Sequence, residues 1–340
     1  MIIPHFRPFV GEHCETTALG NLFRHAGLEL SEPMLFGLSG GLGFIYWNMK
    51  TMPVPFLGGR TKDLTKNLRD NLGFDLRIRE TSSMKKAWEN VSETIDEGTP
   101  VGLQLDCYHL DYFTKKFHFA GHHVAMYGYD TDTAYLVDTR PQGGAVTTPL
   151  ENLALARKEK GPMSAKNRSY TLGIGSTDID YSSLIPLAIY RNAKEYLNPP
   201  IQNLGYKGIL KTSVEIRKWL KTSKDPGADF RHTAIMMERA GTGGALFRNL
   251  YRDFLCEAYA RLKAEPLHDA HEQFVDIARM WLHVSHLFER VNSADDTAIV
   301  REASETLVLI SESEHRAMMT LDKYFAEQGK SSIRVRRVRG

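Results

Sequence analysis

The 340-residue sequence has few cysteines, no excess of either charge and no long apolar run. Its three cysteines, Cys14, Cys107 and Cys256, are an odd number and lie far apart. They offer no disulfide framework and no Cys-x-x-Cys zinc pattern, and a reducing compartment fits them best. Lys and Arg total 43 against 41 Asp and Glu, a net charge of +2. That balance supplies no global field for nucleic acid, so no nucleic-acid partner is expected. No stretch approaches the roughly 18 apolar residues of a membrane helix. No apolar core follows Met1 to Val10, as it would in a signal peptide. The expectation is a cytoplasmic chain with no membrane partner.

What is present is globular composition, 42% hydrophobic and 25% charged. At about 150 residues per domain the length suggests two. The first half reads as mixed α and β. Ala18, Leu19, Leu22, Phe23 and Ala26 share one helical face, and Gly27 stops that helix. A glycine-rich loop, Ser39 to Gly43, precedes the aromatic run Phe44-Ile45-Tyr46-Trp47. Helices are predicted over 63–72 and 84–97, and a buried strand over 101–106. Strands over 124–129 and 134–137 flank the turn Asp130-Thr131-Asp132-Thr133, a hairpin pattern. After about Leu150 the character changes. A Lys-, Arg- and Gly-rich segment, 156–167, reads as a loop, and helical periodicity then dominates over 214–221, 243–265, 271–291 and 299–327. The domains are therefore expected at 1–155 and 156–340, the second α-helical. The basic tail Ile333 to Arg339 is expected to be a solvated end.

Cys14 stands at the start of the first helix, where free N–H groups and the helix dipole favour a thiolate. Such a thiolate is a nucleophile if a base lies close. Gly121-His122-His123-Val124 opens one hairpin strand and Asp138 follows the other, so Asp138 can orient the His122 imidazole. The plainer alternative makes Cys14 a small buried residue at a helix start and the other two turn residues.

Two motifs carry a resemblance. Cys14-Glu15-Thr16-Thr17-Ala18-Leu19, running on through Asn21 to Glu29, resembles the active-site helix of papain-like and C39-like cysteine peptidases. His122-His123-Val124-Ala125-Met126-Tyr127-Gly128-Tyr129-Asp130 resembles their histidine strand, with Asp138 sixteen residues after His122. Of the doublet, His122 is preferred, because His123 points to the opposite strand face. A wider likeness covers most of the chain. The Ser39 to Phe44 run with Tyr46, the segment Pro55 to Arg60, and Glu238-Arg239-Ala240-Gly241-Thr242-Gly243-Gly244-Ala245-Leu246-Phe247-Arg248 resemble the BtrH-like, butirosin-biosynthesis acyltransferase family.

That resemblance implies an α+β fold: a papain-like (C39-peptidase-like) N-terminal domain with an α-helical C-terminal domain. It implies transfer of an acyl or aminoacyl group from a carrier-protein thioester to an amine, through an acyl-enzyme on Cys14. The implied partners are an acyl or peptidyl carrier protein, bearing phosphopantetheine, and a small-molecule amine acceptor; the enzyme itself needs no cofactor and no metal. A hydrolase with the same triad, thioesterase or peptidase, is the rival reading, and a non-catalytic carrier-binding protein the second. One departure stands out: papain-like peptidases carry a glutamine oxyanion donor six residues before the cysteine, and that position is Pro8. The Cys14 N–H and His13 are the substitutes expected.

Other candidates for substrate binding are Gly41 in the glycine loop, Asp106 at a strand end, Gly243 before a helix, and Arg248 for a carboxylate or phosphate. The tail or the Lys/Arg-rich segment 157–168 is a candidate surface for an acidic carrier. Cys107 and Cys256 read as packing residues. His283, His286 and Glu289 share a helix face but lack a further metal ligand. Trp88, Trp219 and Trp281 read as core.

Overall fold

The structure is a computed structural model that describes residues 1–49, 52, 54–160 and 163–339. Its elements run α1 (Cys14–His25), α2 (Glu32–Leu38), β1 (Leu42–Trp47), β2 (Phe56–Arg60), α3 (Leu64–Leu72), β3 (Asp75–Arg79), α4 (Met84–Asp96), β4 (Val101–Leu105), β5 (His122–Tyr129), β6 (Thr133–Val137), β7 (Ala145–Pro149), α5 (Leu150–Lys158) and β8 (Ser169–Gly173). Six helices follow: α6 (Tyr181–Leu197), α7 (Gly205–Thr222), α8 (Pro226–Glu238), α9 (Arg248–Leu262), α10 (Glu265–Arg290) and α11 (Thr297–Arg339). The fold is α+β, with a sheet-rich N-terminal region and a helical C-terminal one.

The chain forms two compact units, Met1–Leu35 with Leu72–Asp178, and Phe36–Asn71 with Ile179–Gly340. The division differs from the expected boundary at 155/156 in two respects. That boundary falls inside α5, ahead of a strand that belongs to the sheet, and residues 36–71 belong with the helices. In the sequence β8 is a single short strand after a polar loop, and β1 and β2 carry glycines that weaken a strand pattern, so neither marks the compact units.

The first unit holds an antiparallel six-stranded sheet in the order β3-β8-β4-β5-β6-β7. Alternate residues along its central strands face one core. Leu103, Leu105, Val124, Met126, Ala134 and Leu136 are buried there with Val91 and Ile95 of α4 and Leu153 and Ala156 of α5. Helix α1 packs against β4, β5, β6 and β8. It ends as its sequence predicts: Gly27 takes φ +86°, and the Gly27 and Leu28 N–H groups bond back to Arg24 O (3.1 Å) and Phe23 O (2.9 Å). At its buried centre Asn21 clasps the preceding loop, accepting from Phe9 N and donating to Phe9 O, both at 2.8 Å. Gly20 admits the Phe9 ring so closely that a Cβ would lie 2.4 Å from it.

In the second unit β1 pairs antiparallel with β2, and α11 packs against α6, α7 and α10. Trp219 and Trp281 are core, as expected. At its centre Arg248 and Glu314, both fully buried, pair through Nε–Oε1 and Nη2–Oε2, each 2.8 Å. Trp281 Nε1 donates to the same carboxylate at 2.8 Å, and Tyr196 Oη donates to its other oxygen. Helix α11 continues through the basic tail to Arg339, and the tail's side chains lie outside the described residues. No helix among the described residues is long and apolar enough to cross a membrane.

Candidate active site

The hairpin register brings His122 and Asp138 together. Ala125 pairs with Val137, so Val124 faces Asp138, and His122, two residues before Val124, lies diagonally opposite on the same face. His122 Nε2 lies 2.8 Å from Asp138 Oδ2, and both residues are buried. Asp138 is held in turn: Tyr112 Oη donates to Oδ2 at 2.8 Å and Thr139 N to Oδ1 at 2.6 Å. Phe113 covers the imidazole edge-on, centroids 5.4 Å apart. Because Nε2 is engaged, Nδ1 is the ring nitrogen left for a thiol.

Burial alone would lower the His122 pKa; the Asp138 carboxylate overcomes it and holds the imidazole well above its ordinary value. The second group acting on the ring is the Cys107 thiol. Burial pushes the Cys107 pKa up, and His122 offsets this only in part. The folded imidazole pKa lies above the unfolded value, so the stabilisation from the pair is complete below about pH 6.5. It fades as pH rises through the raised folded value. Asp138→Asn is accordingly expected to cost most stability near pH 6 and progressively less in alkali, as urea denaturation across pH measures.

Cys14 is partly exposed at the first turn of α1, where backbone N–H groups lack intrahelical acceptors. Burial raises the pKa of Cys107 and of the Tyr170 hydroxyl, and Cys14 adds to both shifts. The thiol against His122 itself is Cys107, which the sequence analysis assigned to packing. Cys107 reaches this place because Asp106 caps a short 3-10 turn, Cys107–His109, accepting from Tyr108 N at 2.8 Å. His123 points elsewhere, with Nδ1 3.1 Å from Tyr170 Oη.

A residue that sequence reasoning missed controls the loop before Cys14. Glu32 is half-buried and accepts from Glu12 N (3.0 and 2.8 Å), His13 N (2.8 Å) and Thr16 Oγ1 (2.8 Å). Burial raises its pKa, and these donors pull it part of the way back. The bare carboxylate had no sequence signal, since its partners are mostly backbone. Gly11 is the one hint, for a Cβ there would lie 2.7 Å from the Glu32 carboxyl. Glu32→Ala strands two N–H groups and is expected to cost about 2–4 kcal/mol in chemical denaturation.

The expected substrate contacts fall as follows. His13 is buried, its Nδ1 3.4 Å from Thr16 Oγ1, so its ring belongs to the helix start. Asp106 is buried, capping the Cys107 turn and lying 3.4 Å from His118 Nδ1. Gly41 is buried in the second unit, bonding Phe36 O at 2.9 Å. Gly243 (φ +67°) forms a turn whose carbonyl Asn249 binds at 2.9 Å. Arg248 lies inside the helical core, its guanidinium bonded to Glu314, Leu246 O (2.7 Å) and Gly59 O (3.2 Å). The carbonyl of Leu246 belongs to a turn whose three residues, Ala245, Leu246 and Phe247, all have positive φ (48°, 49° and 73°), so Arg248 braces strained backbone. His283 pairs with Glu302 at 2.9 Å, and no group of three ligating side chains among the described residues is placed to hold a metal.

Comparison with known families now bears on this site. Residues 13–139, from the residue before Cys14 to the residue after Asp138, match a family described as butirosin biosynthesis protein H, N-terminal. Over these residues the chain is BtrH-like, and that likeness points to a role in antibiotic biosynthesis. Residues 151–321, half of the chain, match a domain of unknown function (DUF4872), to which the helical region belongs. A search of the curated proteins finds no match.

Proposed function

We propose that the chain is a cysteine-dependent acyltransferase acting in antibiotic biosynthesis. The observation that carries this reading is the buried His122–Asp138 pair at 2.8 Å, in the same unit as a helix that begins on a partly exposed cysteine. On the motif resemblance, that unit is papain-like. The BtrH likeness supports the biosynthetic setting, and three free cysteines fit a cytoplasmic one.

His122 takes the Cys14 proton, and the thiolate attacks a thioester carbonyl on the phosphopantetheine arm of a carrier protein. The tetrahedral adduct collapses, the carbon–sulfur bond to the carrier breaks, and the departing sulfur takes the proton from His122. An acyl-Cys14 thioester and a neutral imidazole remain. The amine then attacks, His122 removes its proton, and collapse releases the amide and the Cys14 thiolate. One thioester replaces another, so the first half needs no ATP. The raised imidazole pKa suits this cycle, because it favours the imidazolium that accompanies each thiolate. A thioester carbonyl is more electrophilic than an amide, which supports thioester over peptide substrates given Pro8 in place of a glutamine.

The test is product analysis with an acyl thioester, with and without a primary amine. Amine-dependent amide formation is expected. Acid release alone would assign a hydrolase, and no turnover would favour a carrier-binding protein.

A further inference from the structure

The first unit contains a cavity of about 310 Å³ between α4 and α5, apart from the cysteine chemistry. Its wall is apolar: Met84, Ala87 and Trp88 of α4, with Leu150, Leu153 and Ala154 of α5. Into this wall the chain places one cation, Arg157, which is 3% exposed. Among the described residues Arg157 makes two hydrogen bonds, both from Nη2 to carbonyl oxygens, Ala87 O at 3.1 Å and Asn167 O at 3.3 Å. Its buried Nε has no acceptor, and the buried Asn167 Oδ1, on the same wall, has no donor. The Asn167 amide is not simply reversed, because its Nδ2 donates to Thr81 O at 2.9 Å.

A buried guanidinium needs an anion to offset the loss of water. The contrast within this protein is direct: Arg248, equally buried, has Glu314, whereas Arg157 forms no ion pair among the described residues. Burial without a partner pulls the Arg157 pKa down to about 10. The one carboxylate on the wall, Glu151, is exposed and sits six residues earlier on α5, about 9 Å along the axis. The anion is therefore missing from the protein itself.

We infer that this cavity binds a small amphipathic carboxylate, its apolar body against Trp88 and Leu153 and its carboxylate on Arg157. The volume lies at the lower end of small-ligand sites, which suits a medium-chain acyl or an aryl acid. A charge-assisted bond to the guanidinium that lines the cavity offsets its buried, unpaired charge. The site is independent of Cys14, so either assignment can fail without the other.

The test is calorimetric titration of the full chain with octanoate, beside acetate and 1-octanol. Octanoate is expected to bind saturably, and each control at least about tenfold more weakly, because one lacks the body and the other the charge. Arg157→Met is expected to weaken octanoate binding at least about tenfold. Ala154→Phe fills the cavity while keeping the charge and is expected to abolish binding, which decides the matter if the arginine variant does not fold. The inference is overturned if octanoate does not bind saturably, if 1-octanol binds equally well, or if Ala154→Phe binds as the parent does.

Discussion

Replacing Cys14 with alanine is expected to lower amide formation by at least about 10³-fold, the loss that follows removal of a covalent nucleophile. Cys107→Ala is expected to lower it by about tenfold at most. The distinction matters because Cys107 is the thiol acting on the ring, and Cys14 in turn acts on Cys107. Three physical facts favour Cys14. Cys107 is only 2% exposed, so a carrier-bound thioester does not reach it. Burial raises its pKa, which disfavours its thiolate. Cys14 is partly exposed and begins a helix, where the N–H groups and dipole stabilise a thiolate and a developing oxyanion. Cys107 touches the imidazole, so its loss perturbs His122 without removing the nucleophile. Initial rates of the two variants, with circular dichroism to confirm folding, decide the question. A Cys14 variant that retains full rate beside a dead Cys107 variant would reverse the assignment.

The largest expected stability loss is at Glu314. Glu314→Ala leaves the Arg248 charge buried without a counter-ion and strips the acceptors from Trp281 Nε1 and Tyr196 Oη. A buried pair broken on one side costs about 3–5 kcal/mol. The Arg248 guanidinium also bonds the carbonyl of Leu246, so the positive-φ turn Ala245–Phe247 loses part of its brace. Urea denaturation measures the loss. The double variant Arg248→Met with Glu314→Leu is expected to recover most of it, because a matched apolar pair carries no desolvation cost. A single-variant loss below about 1 kcal/mol, the worth of a surface pair, would show that water enters this core.

Much of this was legible in the residues. Helix α1 announced itself through Ala18, Leu19, Leu22 and Phe23 and the stop at Gly27. The β5–β6 hairpin was read from its turn, and with it the His122–Asp138 pair, because a register of known length fixes which residues oppose. In the second unit α9, α10, α11 and the end of α7 followed from their apolar stripes, whereas α6 and α8 did not. What stayed hidden depends on partners distant in sequence. Glu32 binds mainly backbone N–H groups, which no side-chain pattern records. Arg248 looked like a ligand contact beside a glycine-rich turn, yet its partner is 66 residues away on another helix. Cys107 packs in the core as its sequence suggests, but nothing local shows that the 3-10 turn after β4 also sets it against the imidazole. The compact units crossed the expected boundary because residues 36–71 are brought together with the helices only by tertiary packing.

The central claim is that Cys14 carries the acyl group. Intact-mass measurement after brief exposure to an acyl thioester, followed by peptide mapping, tests it most directly. A single acyl addition is predicted on the peptide containing Cys14, discharged when a primary amine is added. No addition, or a stable addition on the peptide containing Cys107, would contradict the account.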